Sequence, residues 1–117
     1  MVQKTGYTQK ISPAGTYPRG NTGVSLGSSV LGIKIFPTPD LNSVLVAYRT
    51  LSPVGTSIHK YTSATDAHVW QRSIPAPDAD HSSASLGEGE FLSDGSFIAI
   101  IHAYINPPFC SFYAQKV

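Results

Sequence analysis

The chain has 117 residues, a formal net charge of +1 and only 13% charged residues, about half the roughly 25% of ordinary globular proteins. With 41% hydrophobic residues, 15 Ser, 9 Thr, 10 Gly and 9 Pro, the composition excludes a helical bundle, a coiled coil and an acidic disordered tail. The single cysteine, Cys110, excludes an intrachain disulfide, and the near-neutral balance gives no strong field to attract nucleic acid.

Residues 1–29 are rich in Gly, Ser, Thr and Pro, with Val2, Ile11, Val24 and Leu26 as scattered aliphatics. A stretch this poor in apolar surface does not offset its own ordering entropy. It is expected to be an extended arm held by something else. The first 10 residues, MVQKTGYTQK, lack the apolar core of a signal peptide. Synthesis without a signal peptide is therefore expected.

The body begins at Val30. The spacing predicts strands over Val30–Phe36, Ser43–Leu51, Thr56–Thr62, His68–Ile74, Phe97–Ile105 and Phe109–Gln115, each rich in β-branched or aromatic residues. Leu41, Val44, Leu45 and Tyr48 also fit helical spacing, so a short helix is the minor alternative there. Pro37-Thr38-Pro39-Asp40, Pro53-Val54-Gly55 and Asn106-Pro107-Pro108 read as turns, and Ser93-Asp94-Gly95-Ser96 as a hairpin turn. Residues 75–90, PAPDADHSSASLGEGE, have the composition of a loop, with brief pairing over Glu90–Leu92. The longest apolar run, Phe97 to Ile101, is far short of the roughly 20 residues of a membrane helix, so no membrane insertion is expected.

Turn signals recurring about every ten residues predict an all-β fold. The expected architecture is a small antiparallel sandwich or barrel over residues 30–117, with residues 1–29 as the arm. The segments starting at Ser43 and Ser96 both read as hairpins, preceded by Asp40 and Asp94. That weak repeat suits two propeller-like blades closing by oligomerisation, as an alternative.

Chemistry-bearing residues are few. By period two, His59 and Tyr61 share a face, as do His68, Trp70 and Arg72. If the two strands pair, one sheet face gathers them all. The glycan-binding candidates on that face are Trp70, Tyr61, His59 and Arg72, since rings stack on sugar faces while Arg and His donate hydrogen bonds. The competing reading, and the favoured one for Trp70, is a tryptophan of the sheet core. Asp78 and Asp80 are the weak candidates for a metal, because alternating carboxylates suit Ca²⁺, but the Gly and Glu of an EF-hand loop are missing. No cofactor is expected. Asp78, Asp80 and His81 are what a small hydrolase would use, but no nucleophile motif accompanies them. Cys110, in Phe-Cys-Ser-Phe, is expected to be a buried inert thiol.

Charge is segregated. Lys4, Lys10, Arg19 and Lys34 are unopposed in residues 1–39, and Asp78, Asp80, Glu88, Glu90 and Asp94 are unopposed in residues 78–94. Complementary patches of this kind suit contacts between copies. The leading expectation is thus a non-enzymatic structural protein of a larger symmetric assembly, such as a phage capsid-decoration or tail component on a virion surface. Its partners are copies of itself and other assembly proteins, engaged through the arm. The alternative is a carbohydrate-binding module or receptor-binding tip with a glycan as partner.

Overall fold

The computed structural model describes residues 5–8, 14–15, 24–28, 31–51, 53–65, 67–77, 80–105 and 109–117, and these form nine strands and no helix. They are β1 (Thr5–Thr8), β2 (Val24–Ser28), β3 (Leu31–Pro37), β4 (Ser43–Leu51), β5 (Val54–Thr62), β6 (His68–Pro75), β7 (His81–Phe91), β8 (Phe97–Ile105) and β9 (Phe109–Lys116). All pairings are antiparallel between sequence neighbours: a β1-β2 pair, a four-stranded sheet β3-β4-β5-β6 and a three-stranded sheet β7-β8-β9. The fold is all-β, and the sheets keep open edges, so it is not a closed barrel.

β4 and β5 form a hairpin whose last pair is Leu51↔Val54. Pro53 cannot donate to a ladder, so it sits in the turn; β5 therefore starts two residues before the expected Thr56. The helical alternative at residues 41–48 is not realised. Its β-branched and aromatic side chains alternate across the sheet instead, with Leu45 and Ala47 on one face and Val46 and Tyr48 on the other. At the Ser93–Ser96 turn Gly95 takes φ 85, the Leu92 amide donates to the Ser96 carbonyl (2.7 Å), and the Asp94 carboxylate accepts from the Ser96 amide (2.9 Å). The hydroxyl and amide of Ser96, followed by Lys116 at 3.3 Å, hold the Asp94 carboxyl down at about 2.

The largest departure from expectation is β7. Residues 81–91 are a strand of 11 residues, where a loop was expected. Their Ser, Ala and Gly content gives weak intrinsic strand preference; tertiary packing overrides it. β7 is the strand of the smaller sheet that lies against β4 and β5, and its small side chains allow the close approach. The Thr56 hydroxyl, buried, donates to the Ala84 carbonyl at 2.9 Å. Arg49 Nη1 donates to the Ser83 hydroxyl at 3.1 Å. Two register irregularities, at residues 81–83 and 86–88, let the strand follow the twist of its neighbours.

One core results. It draws Leu45, Ala47, Ile58 and Ile74 from the larger sheet and Ala84, Leu86, Phe97, Ala99, Ile101 and Ala103 from the smaller. Phe97 anchors it, with ring centroids 5.0 Å from both Phe36 and Phe91. A second cluster lies on the opposite face of the larger sheet, where Leu26 of β2 packs on Val46 and Tyr48. So part of the stretch expected to be an arm rests on the body; most of residues 1–29 lie outside the described residues. The Cys110 side chain lies outside them too.

Gly89 is required by packing. A Cβ there would sit 2.0 Å from the Phe97 ring. Gly89→Ala should therefore push Phe97 out of place and lower stability by about 1–3 kcal/mol, measured as a lower urea midpoint at unchanged m-value. Glu90→Ala, on an exposed neighbour, should change it by no more than about 0.5 kcal/mol.

Candidate functional site

The register of β4, β5 and β6 decides which side chains meet. Val46 is opposite His59, and Tyr48 is opposite Ser57. Across the next ladder Ser57 faces Ser73, His59 faces Gln71 and Lys60 faces Trp70, but Tyr61 faces His68. Val69 is the extra residue of a bulge. A bulge moves the following residues by one position and reverses which face each side chain takes.

The expected five-residue face is therefore divided. His59, Tyr61 and His68 share the face away from the main core. Trp70 and Arg72 lie on the core side, in register with Lys60 and Ile58. Trp70 is half buried and packs against the main core. Arg72 lies over it, Cζ 5.3 Å from the ring centroid, a contact worth about 0.5–1 kcal/mol when exposed. Uninterrupted alternation along residues 68–72 fails because the bulge has no signature in residue type: Val69 is a good strand former.

On the outer face the rings form a row. His59 stacks between Tyr48 (centroids 5.4 Å, 20°) and Tyr61 (6.0 Å, 11°). His68 sits edge-on to both His59 (5.2 Å) and Tyr61 (5.3 Å). Polar contacts tie the row together. Tyr48 Oη lies 2.8 Å and Ser57 Oγ 3.2 Å from His59 Nε2, and Gln71 Nε2 donates to Ser57 Oγ at 3.0 Å. His59 Nδ1 and His68 Nε2 are 3.1 Å apart. Only one proton fits between them. Either His59 carries it on Nδ1 and accepts at Nε2, or His59 carries its proton on Nε2 and accepts at Nδ1 from His68.

Tyr48, Ser57 and Gln71 belong to this cluster, although the single-strand pattern did not single them out. The signal is Pro53, which cannot donate to the ladder. It limits the hairpin to a last pair Leu51↔Val54 rather than the expected turn over Pro53-Val54-Gly55. Counting back from it pairs Tyr48 with Ser57 and brings both beside His59.

Among the remaining candidates, Asp78 lies outside the described residues. Asp80 is exposed just before β7, and His81 is buried at its start. Among the described residues, no group of three or more His, Cys, Asp or Glu is placed to hold a metal ion. No family model, curated protein or solved structure matches the chain.

His59 is shifted to a lower pKa than the ordinary 6.5, first by burial and then by the neighbouring His68 charge. The folded state thus penalises the imidazolium. With the folded value below the unfolded one, this group's contribution to stability is complete above 6.5 and is lost as pH falls through the lowered value. The urea midpoint should decline as pH drops below 6.5, and His59→Gln should flatten that part of the profile. Equal slopes in the two proteins would contradict this assignment.

Proposed function

We propose that the protein is a non-enzymatic structural component of a larger symmetric assembly, with a virion surface as its setting and the architecture of a small two-sheet sandwich. The observation that carries this reading is Leu41. It lies in the turn between β3 and β4 with φ 61, the single non-glycine residue at positive φ among those described, and it is 71% exposed. The left-handed conformation costs an L-residue roughly 1–2 kcal/mol, and Asn or Gly relieves much of that cost. The turn itself does not call for leucine. Asp40 accepts from the Asn42 amide (2.9 Å) and the Thr38 hydroxyl (2.7 Å), and the Leu41 amide donates to the Thr38 carbonyl (2.9 Å). A strained, exposed apolar side chain is accounted for by a surface that covers it in the assembled state.

The surroundings agree. Leu92, in the turn between β7 and β8, is also exposed. It joins Thr38, Pro39, Lys60 and Phe91 around a groove of about 480 Å³. Elsewhere Ile35, Leu51 and Val69 are about half exposed, and the molecule is a plate of 49 × 41 × 20 Å. Flat plates with apolar side chains at turns and edges suit repeated lateral contacts, in which weak interactions are multiplied by symmetry. The excess of basic residues in 1–39 and of acidic residues in 78–94 along the sequence adds opposite charges that suit contacts between copies. In this reading the arm bonds to neighbouring copies.

A second reading, glycan binding, draws on the outer row of Tyr61, His59 and His68, whose ring faces are separate from Trp70 and Arg72. A glycan array tests it, with Tyr61→Ala as the variant that loses any signal.

The assembly reading makes an opposed pair of predictions for one substitution. Leu41→Asn should raise the stability of the single chain by about 1 kcal/mol, because Asn tolerates this conformation better. The same change should reduce self-association, seen as a lower mass by light scattering at equal concentration. A wild type that stays monomeric with its assembly partners present, or an Asn variant that associates as strongly, would overturn the reading.

A further inference from the structure

We infer that His59 and His68 form a two-histidine chelate for a borderline divalent transition-metal ion of the Zn²⁺, Ni²⁺ and Cu²⁺ class, on the outer face of the four-stranded sheet. The two ring nitrogens that face each other, His59 Nδ1 and His68 Nε2, are 3.1 Å apart. With metal–nitrogen bonds of roughly 2.0–2.1 Å, that separation gives an N–M–N angle of about 98°. The angle lies between the square or octahedral value and the tetrahedral one. The separation therefore suits a single ion once the exposed His68 ring swings off the N–N line and both lone pairs converge on the metal. Imidazole nitrogen is a favoured donor for these ions.

The far side of His59 is prepared for the role. Metal-bound histidines generally donate their other ring N–H to an oxygen, which fixes the tautomer and the ring plane. Nε2 of His59 has two such oxygens, Tyr48 Oη at 2.8 Å and Ser57 Oγ at 3.2 Å. A proton on Nε2 leaves the Nδ1 lone pair aimed at His68. The stacked Tyr48 and Tyr61 rings hold the imidazole from both sides, so the donor is oriented before the ion arrives. The environment that disfavours the imidazolium of His59 also keeps it in the neutral form that binds metal.

The bulge at Val69 creates the pair. It turns His68 onto the face of Tyr61 and His59, and it leaves the cations Lys60 and Arg72 in register with the opposite face. His68 is exposed, so the ion keeps open positions that water fills. The ion would tie β5 to β6 where their ladder is interrupted.

Calorimetric titration of the full chain with Zn²⁺ alone, and electron paramagnetic resonance with Cu²⁺ alone, test the inference. The expected results are one ion per chain, a Cu²⁺ spectrum with two nitrogen donors, and a melting temperature raised by Zn²⁺. His68→Ala, at an exposed position that leaves the core intact, should weaken binding at least tenfold. His59→Gln should do the same, whereas His102→Ala should leave binding unchanged. No saturable binding by the wild type, or binding retained in His68→Ala, would overturn it.

Discussion

The structure depends on how closely β7 approaches the β4-β5 hairpin. Two sheets share a core only if the facing strands leave no gap that water or a cavity would fill. Here the spacing is set by small side chains and one buried hydrogen bond, Thr56 to the Ala84 carbonyl. That bond satisfies a hydroxyl which would otherwise be costly at the layer interface. Around it Ile58, Ile101 and Phe97 close the core. The smaller sheet could not hold its position with a bulkier β7, because Phe97 uses the space that Gly89 leaves.

That dependence explains what was legible in the sequence. The all-β class and most strand positions follow from β-branched and aromatic runs separated by proline and glycine turns. Phe97–Ile105 and Ser43–Leu51 are recovered to the residue. β7 was hidden because its merit is smallness. Ser83, Ala84, Ser85, Gly87 and Gly89 carry no strand preference of their own, and their composition is that of a loop. A strand selected for what it allows to come close reads in the sequence as the absence of a signal.

The outer ring cluster was legible by half. His59, Tyr61 and His68 are recognisable as neighbours from period-two alternation and the Thr62–Ala67 turn, where the Thr62 amide bonds the Ala67 carbonyl at 2.9 Å. The partition that sends Trp70 and Arg72 to the core side depends on backbone hydrogen bonding at Val69, which residue type does not encode. Tyr48 enters from a strand that the local pattern treats separately. The two clusters of the larger sheet thus have different sources: the core side follows hydropathy, and the ring side follows register.

The bulge also makes the β5-β6 pair a hinge between two inventories of side chains. Pairing Val69 in register with Tyr61 would restore plain alternation over residues 68–72 and carry His68 to the side of Trp70, converting an imidazole pair into a mixed aromatic and cationic strip. Loss of Val69, by contrast, would make His68 and Trp70 sequence neighbours and keep them on opposite faces. A sheet built this way can change the chemistry of a whole surface by a one-residue slip of register, without altering any side chain or its core hairpin.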